Sequence, residues 1–355
     1  MRRPVIDIRH SLSRREFLRA AGLAGAGAVL LGACGSDGSN GGPTSTPEGD
    51  PPPETTTIRL GKTDLPRLAP LYLAEQFLAA EGFTDVQYID LLDFSHTQQL
   101  AAGEIDISLV FASSLTVAAD AGEPLVVLAG VHNTLFELFG NDRVQSLRDL
   151  KGKRIVRNPG GTDLVYTFWA ALLAYVGIDI EHEVEFVEAN PADLVPQVLA
   201  DTFDAWLLTR PFSTLLRKAN IGHVVVDGIV DPPWSQYFGG MATANRDFVE
   251  QHPAATKRAL RAILKATDVC AREPERAARY LVDHGYTTLT YDLALDGIPA
   301  MSYAAWREFD PEDTMRFYAL RLKEAGLVTS TPDELIARAT DWRYLEEIKR
   351  ELGVT

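Results

Sequence analysis

Apolar runs and amphipathic stretches alternate from about residue 58 onward. Ile58–Gly61, Val86–Leu92, Ile105–Phe111 and Leu125–Val131 are short apolar runs that predict strands. Leu68–Ala80, Ser95–Ala102 and Ser114–Ala119 carry helical spacing between them, the first closed by Gly82. The pattern then restarts. Strands are predicted at Arg154–Arg157, Val184–Val187, Ala205–Leu208 and His223–Val226. Helices are predicted from the loop Asn158–Thr162 to Val176, at Ala192–Leu199 and at Pro211–Ala219. From Arg246 the chain reads as helix after helix, with starts near Pro253, Pro274, Pro311 and Pro332, because proline's missing N–H costs nothing in a first helical turn. Buried-looking strands separated by helices predict parallel sheets covered on both faces.

A weak internal echo points to two similar lobes. Leu100–Ile107 aligns with Val198–Ala205: in each, a helix ends, the chain turns, and an Asp (Asp106, Asp204) opens the next strand. The length of 355 residues is also more than one compact core takes.

The first 57 residues follow neither rhythm. Ser13-Arg14-Arg15-Glu16-Phe17-Leu18 precedes an uncharged run, Ala20–Leu31, of about a dozen residues, too short for the ~20 of a spanning helix. A charged start, a short apolar core and small residues make a signal peptide over 1–33. The Arg14-Arg15 pair resembles a twin-arginine export signal. Leu31-Gly32-Ala33-Cys34 resembles a lipobox, with Cys34 as the lipidated residue. Residues 34–57, rich in Gly, Ser, Pro and Thr, have almost no apolar side chain to bury and read as a disordered tether.

Charge narrows the partners. The formal net charge is −15, and without residues 1–33 the chain keeps 28 basic against 47 acidic side chains, a net of −19. Such a surface repels nucleic acid, and an anionic ligand needs a local positive site. Cys34 and Cys270 are the only cysteines, so neither a disulfide framework nor a cysteine metal site is expected. No histidines are paired at ligand spacing, and no nucleophile motif or phosphate loop occurs. No metal, no cofactor and no enzymatic activity are expected.

The order of these pieces resembles the nitrate/sulfonate/taurine-type family of periplasmic binding proteins, which includes binders of thiamine-precursor pyrimidines. The resemblance is carried by Leu68–Ala74, Gly103-Glu104-Ile105-Asp106, Leu147–Lys153 and Asp201-Thr202-Phe203-Asp204-Ala205, over roughly residues 58–270. The last stretch departs from the pattern in having Asp201 where the family has glycine. The resemblance implies an α/β class and a two-lobed periplasmic-binding-protein fold of type II, each lobe a mostly parallel sheet flanked by helices, with a hinge. The expected boundaries are 58–135 and 243–355 for lobe one and 136–242 for lobe two. A ligand is then expected between the lobes, at the C-terminal ends of the strands.

Helix starts facing that cleft attract negative groups through free N–H groups and the helix dipole. Candidates are Thr63 and Asp64, Ser95 and His96, Ser113, and the glycine-rich start Gly160-Gly161-Thr162. Ser, Thr and Asp at such places also serve as ordinary caps. Arg67 in lobe one and Arg210 in lobe two are candidate clamps for a carboxylate, sulfonate or phosphate, or else arginines paired with nearby acids. Asn133, beside His132, is a candidate ligand contact or hinge residue. Trp234 and Tyr237 are candidates for stacking on a planar ligand. Trp169, Trp206 and Trp306 read as core.

These observations lead to the expectation of a monomeric, extracytoplasmic, lipid-anchored solute-binding component of an ABC importer. It would capture a sulfonate- or carboxylate-like anion or a vitamin-precursor heterocycle and pass it to a membrane permease. A ligand-sensing receptor without transport, and an exported enzyme, stay open as alternatives.

Overall fold

The computed structural model describes residues 50–91, 96–157, 164–189 and 194–354, which belong to one compact unit. Cys34, Ser95, Gly160, Gly161 and Thr162 lie outside the described residues.

Among the described residues, ten strands form two five-stranded sheets. Sheet one contains β1 (Thr57–Lys62), β2 (Asp85–Asp90), β3 (Ile107–Phe111), β4 (Leu125–Asn133) and β10 (Phe238–Asn245), in the order β2-β1-β3-β10-β4. Sheet two contains β5 (Phe136–Gly140), β6 (Arg154–Arg157), β7 (Glu185–Glu188), β8 (Ala205–Thr209) and β9 (His223–Asp227), in the order β7-β6-β8-β5-β9. The two orders are the same once each lobe is counted from its own first parallel strand. In sheet one β1 pairs in parallel with β2 and β3, and β10 runs antiparallel to both neighbours. In sheet two β6 pairs in parallel with β7 and β8, and β5 is the antiparallel strand. Each lobe is thus mostly parallel and flanked by helices. The antiparallel strand is in each case the one entered on crossing from the other lobe.

Both antiparallel strands escape the sequence pattern. β5 carries the fully buried acid Glu137 in mid-strand. β10 reads Phe-Gly-Gly-Met-Ala-Thr-Ala-Asn, with little intrinsic strand preference. Its glycines are required by close approach: a Cβ on Gly240 would come 2.1 Å from His132 Nε2. Because β10 begins at Phe238, the chain returns to sheet one a few residues before the expected boundary at 242. The expected helix Leu68–Ala80 is also broken, into Pro66–Leu68, Ala69–Leu73 and Glu75–Leu78, with Pro70 in the first turn of the second piece.

The four proline-marked helices form where the sequence places them, as Pro253–Arg272, Pro274–Asp283, Pro311–Glu324 and Pro332–Ala339. Thr331 and Glu334 close a reciprocal capping box on the last. Trp169, Trp206 and Trp306 are all core.

The internal echo is a repeated clasp. In lobe one, Asp106 accepts the Arg59 backbone N–H at 2.7 Å and its guanidinium at 2.5 Å, while Arg59 also donates to the Gly103 carbonyl. In lobe two, Asp204 accepts the Arg154 N–H at 2.9 Å and its Nε at 3.4 Å, while Arg154 also donates to the Asp201 carbonyl. Gly103 has φ +67° and Asp201 has φ +56°. Asp201 therefore takes the left-handed turn that glycine usually supplies, a position aspartate tolerates better than most residues. Its carboxylate adds a pair to Arg143 at 2.6 Å.

Candidate functional site

The chain leaves β1 through a turn fixed by Tyr72, whose hydroxyl accepts the Thr63 N–H and donates to the Thr63 carbonyl. Thr63 is thereby a backbone anchor. Asp64 accepts hydrogen bonds from both hydroxyls of Thr287 and Thr288 and from the Thr288 N–H, so it fastens the turn ahead of the helix Tyr291–Gly297.

Arg67 follows, 2% exposed. Its Nη1 donates to the Leu109 carbonyl at 2.9 Å, its Nη2 to His96 Nε2 at 2.8 Å, and its guanidinium lies 4.2 Å from the centre of the Phe111 ring. No carboxylate pairs with it among the described residues, and its Nε has no protein partner. Burial pushes its pKa down to about 10, which leaves it charged at neutral pH. His96 answers it as a neutral acceptor: burial, then the Arg67 charge, hold its pKa well below the ordinary value. With Nε2 accepting from Arg67, Nδ1 carries the proton and donates to Ser108 at 2.8 Å. His132, fully buried at the end of β4, is likewise neutral, pushed down to about 3 by burial. Among the described residues, the cleft end of sheet one therefore holds one cation supported only by neutral groups.

On the other side of the Phe111 ring is a crevice too narrow to hold a water. Phe111 and Ser113 come from lobe one, Phe136 and Phe168 from lobe two, with Thr134 and Tyr318 completing the lining. The rings meet across the lobes, Phe111 to Phe136 at 5.4 Å and Phe136 to Phe168 at 4.5 Å. Ser113 and Ser114 hydrogen-bond to Thr167 at 3.0 and 3.3 Å, and Thr214 donates to Asp296 at 2.5 Å, further joining the lobes. The helix Ala112–Asp120 starts in this crevice with no side-chain cap, because its N-cap residue is Phe111 and Ser113 reaches across to Thr167 instead.

Other expected site residues are placed differently. Arg210 is not a free cation. Its Nε donates to Glu137 at 2.9 Å and its Nη2 to Asp227 at 3.2 Å, and Arg217 binds the same two acids. Two arginines and two carboxylates balance one another inside lobe two. Burial alone would raise the Glu137 pKa, but bonds from Arg217 and Arg210 hold it below its ordinary value. Trp234 is 1% exposed, and its ring meets Phe168, Tyr175 and Phe317 edge to face. Tyr237 is stacked on Phe317 at 4.1 Å. Protein rings thus pack against both aromatics. Asn133 bridges the crossover, donating to the Ile229 carbonyl and accepting from Ser302 N–H, as suits a hinge position.

Of the candidates, Arg67, His96 and Ser113 come together at the cleft end of sheet one. Phe111, Phe136, Phe168, Thr134 and Tyr318 were missed, since nothing in the sequence separates a ring lining a cleft from one in the core.

Comparison with known proteins agrees with this fold. The profile of the family described as NMT1/THI5 like matches residues 66–277. The nitrate/nitrite binding protein NrtA of Nostoc sp. is 27% identical over 316 residues, covering 78% of this chain and 71% of its own length. The NrtA of Synechococcus elongatus is 27% identical over 301 residues, 73% of this chain and 66% of that protein. Among solved structures, the periplasmic nitrate-binding protein NrtA from Synechocystis PCC 6803 superposes with a TM-score of 0.67 at 17% identity, covering 85% of this chain and 90% of that one. The alkanesulfonate-binding protein SsuA from Xanthomonas axonopodis pv. citri, bound to MOPS, gives a TM-score of 0.62 at 17% identity, with 81% and 99% covered.

Proposed function

Since the chain belongs to the NMT1/THI5-like family and is of the substrate-binding type that serves ABC importers, we propose that it captures one small organic anion between its lobes and delivers it to a membrane permease. The observation that carries this reading is Arg67, a buried cation at the cleft end of sheet one with only neutral partners among the described residues. An unpaired buried charge is costly, and an anion held across the Phe111 ring from it would offset part of that cost. The uncapped start of Ala112–Asp120 adds N–H groups and a favourable dipole on the crevice side of Phe111. Hinge closure about the Asn133 crossover would then exclude water.

Calorimetric titration with carboxylates, sulfonates and nitrate tests the reading, together with small-angle scattering for a smaller radius of gyration on binding. Saturable binding with no anion, or with neutral solutes alone, overturns it. We also propose that the protein is exported through its Arg14-Arg15 signal and held at the membrane by lipid on Cys34. Cys34→Ala should then release it into the soluble fraction, and Arg14→Lys with Arg15→Lys should block export. Among the described residues no helix is long and apolar enough to cross a membrane.

A further inference from the structure

Lobe one holds a cavity at the pole away from the cleft, where β4 begins and β10 ends. Its volume is about 340 Å³, inside the roughly 300–1,000 Å³ usual for small-molecule sites. The buried part of its lining is apolar, from Val126 of β4 with Val249 and Tyr344. The charged part is Arg246, Arg338 and Arg343 against Glu250 and Asp341. Three cations and two acids leave the lining with one net positive charge, on a chain whose formal net charge is −15.

These charges are unequally committed. Arg343 is matched by Asp341, to which it donates through Nε at 2.9 Å and Nη2 at 2.6 Å. Arg246 is the brace of the cavity. Its Nη2 donates to the Leu125 carbonyl at 2.9 Å and to the Arg338 carbonyl at 2.6 Å, tying the end of the helix Pro332–Ala339 to the start of β4. Its Nη1 lies 4.0 Å from Glu250, whose side chain is 65% exposed and therefore well screened. The Arg338 guanidinium has no carboxylate within ion-pair reach among the described residues. Its one bond runs from Nη2 to the Ser330 hydroxyl at 3.4 Å. Glu334, one turn earlier, is taken up by its capping box with Thr331.

We propose that this cavity is a second ligand site, for a small organic monocarboxylate. The Arg338 guanidinium holds the acid group, with Arg246 Nη1 beside it, and the apolar part of the ligand lies against Val126 and Val249. A planar guanidinium suits a carboxylate because it can offer two parallel N–H bonds. One net positive charge balances one acid group. A second acid group would face Glu250 and Asp341 with nothing to balance it. The site shares no residue with the cleft, so it stands independently of the capture reading.

The test is calorimetric titration of the full-length protein with butyrate, hexanoate and cyclohexanecarboxylate. The matching amides serve as uncharged controls and succinate as the diacid. At least one monoacid should bind more tightly than both its amide and succinate. Its addition should slow amide exchange in the helices Arg246–Gln251 and Pro332–Ala339. Arg338→Gln should weaken that acid by about five-fold, the upper end for a solvent-exposed charge pair. The melting temperature should hardly move, since the side chain meets only Ser330. Should the variant fail to fold, the exchange map of the unmodified protein carries the same test. No heat and no protection with any of the three acids overturns the site. Equal affinity for an acid and its amide overturns the charge requirement. Binding that Arg338→Gln leaves unchanged, or protection confined to the cleft, places the acid elsewhere and also overturns the proposal. All of these outcomes leave the capture reading, whose cation is Arg67, untouched.

Discussion

Replacing Arg67 by methionine removes the cation and keeps an unbranched stem against Phe111. The guanidinium carbon is 4.2 Å from the Phe111 ring centre, so an acid group beyond that ring lies ~8 Å from the charge. At an effective dielectric of about 20, that separation corresponds to about 2 kcal/mol of attraction, or about thirty-fold in Kd. The empty protein is a poor readout. Losing the buried charge relieves a desolvation cost, while the Leu109 carbonyl and His96 Nε2 lose their donor, and these act in opposite directions. The informative quantity is the difference between an anionic ligand and its neutral amide. Calorimetry should show the acid weakened about thirty-fold in Arg67→Met and the amide changed less than three-fold. Equal losses for both, or no loss for the acid, would refute the argument that Arg67 supplies the attracting charge.

Three other outcomes follow from the same structure. Arg210→Ala should lower stability by about 1–3 kcal/mol, because buried Glu137 loses a charged donor, and leave anion affinity unchanged; a loss of affinity at constant melting temperature would return Arg210 to the site. Stability should fall as pH drops from the ordinary histidine value of 6.5 towards about 3, since buried His132 stays neutral while the unfolded chain takes up a proton, and His96 acts in the same direction. Each such histidine contributes about 1.4 kcal/mol per pH unit inside its window, and a melting curve with the same pH slope in His96→Asn/His132→Asn would contradict this. Asp106→Ala and Asp204→Ala should each cost about 2 kcal/mol by freeing a strand N–H and a guanidinium; hydrogen exchange should localise the loss to the mutated lobe, and a loss spread evenly over both lobes would argue against separate clasps.

What the sequence made legible was local. Proline at a first turn and the apolar strand runs are written within a few residues of one another, and the Asp106 and Asp204 echo is a short repeated stretch, even though each aspartate closes on an arginine 47 or 50 residues away. What it hid depends on distant partners. Arg67 and Arg210 look alike in sequence. They differ because Glu137 and Asp227, 73 and 17 residues away, reach Arg210, while Arg67 meets only a carbonyl and a neutral imidazole. Trp234 looked like a ligand platform because its loop lies near the crossover, yet Phe168, Tyr175 and Phe317 converge on it from two lobes. β10 was invisible because its glycines serve the close approach of His132 rather than strand preference.

The position of β10 also dictates an order of assembly. Sheet two is built from one continuous stretch, Phe136 to Asp227, and can close as soon as that stretch exists. Sheet one cannot, because the strand lying between β3 and β4 is Phe238–Asn245, which is made only after all of sheet two. Until then β3 and β4 keep unpaired, apolar edges, the kind of surface that invites wrong partners while a chain waits. The later lobe in the sequence is thus the earlier one to mature, and the completed second lobe brings to the first the strand it lacks.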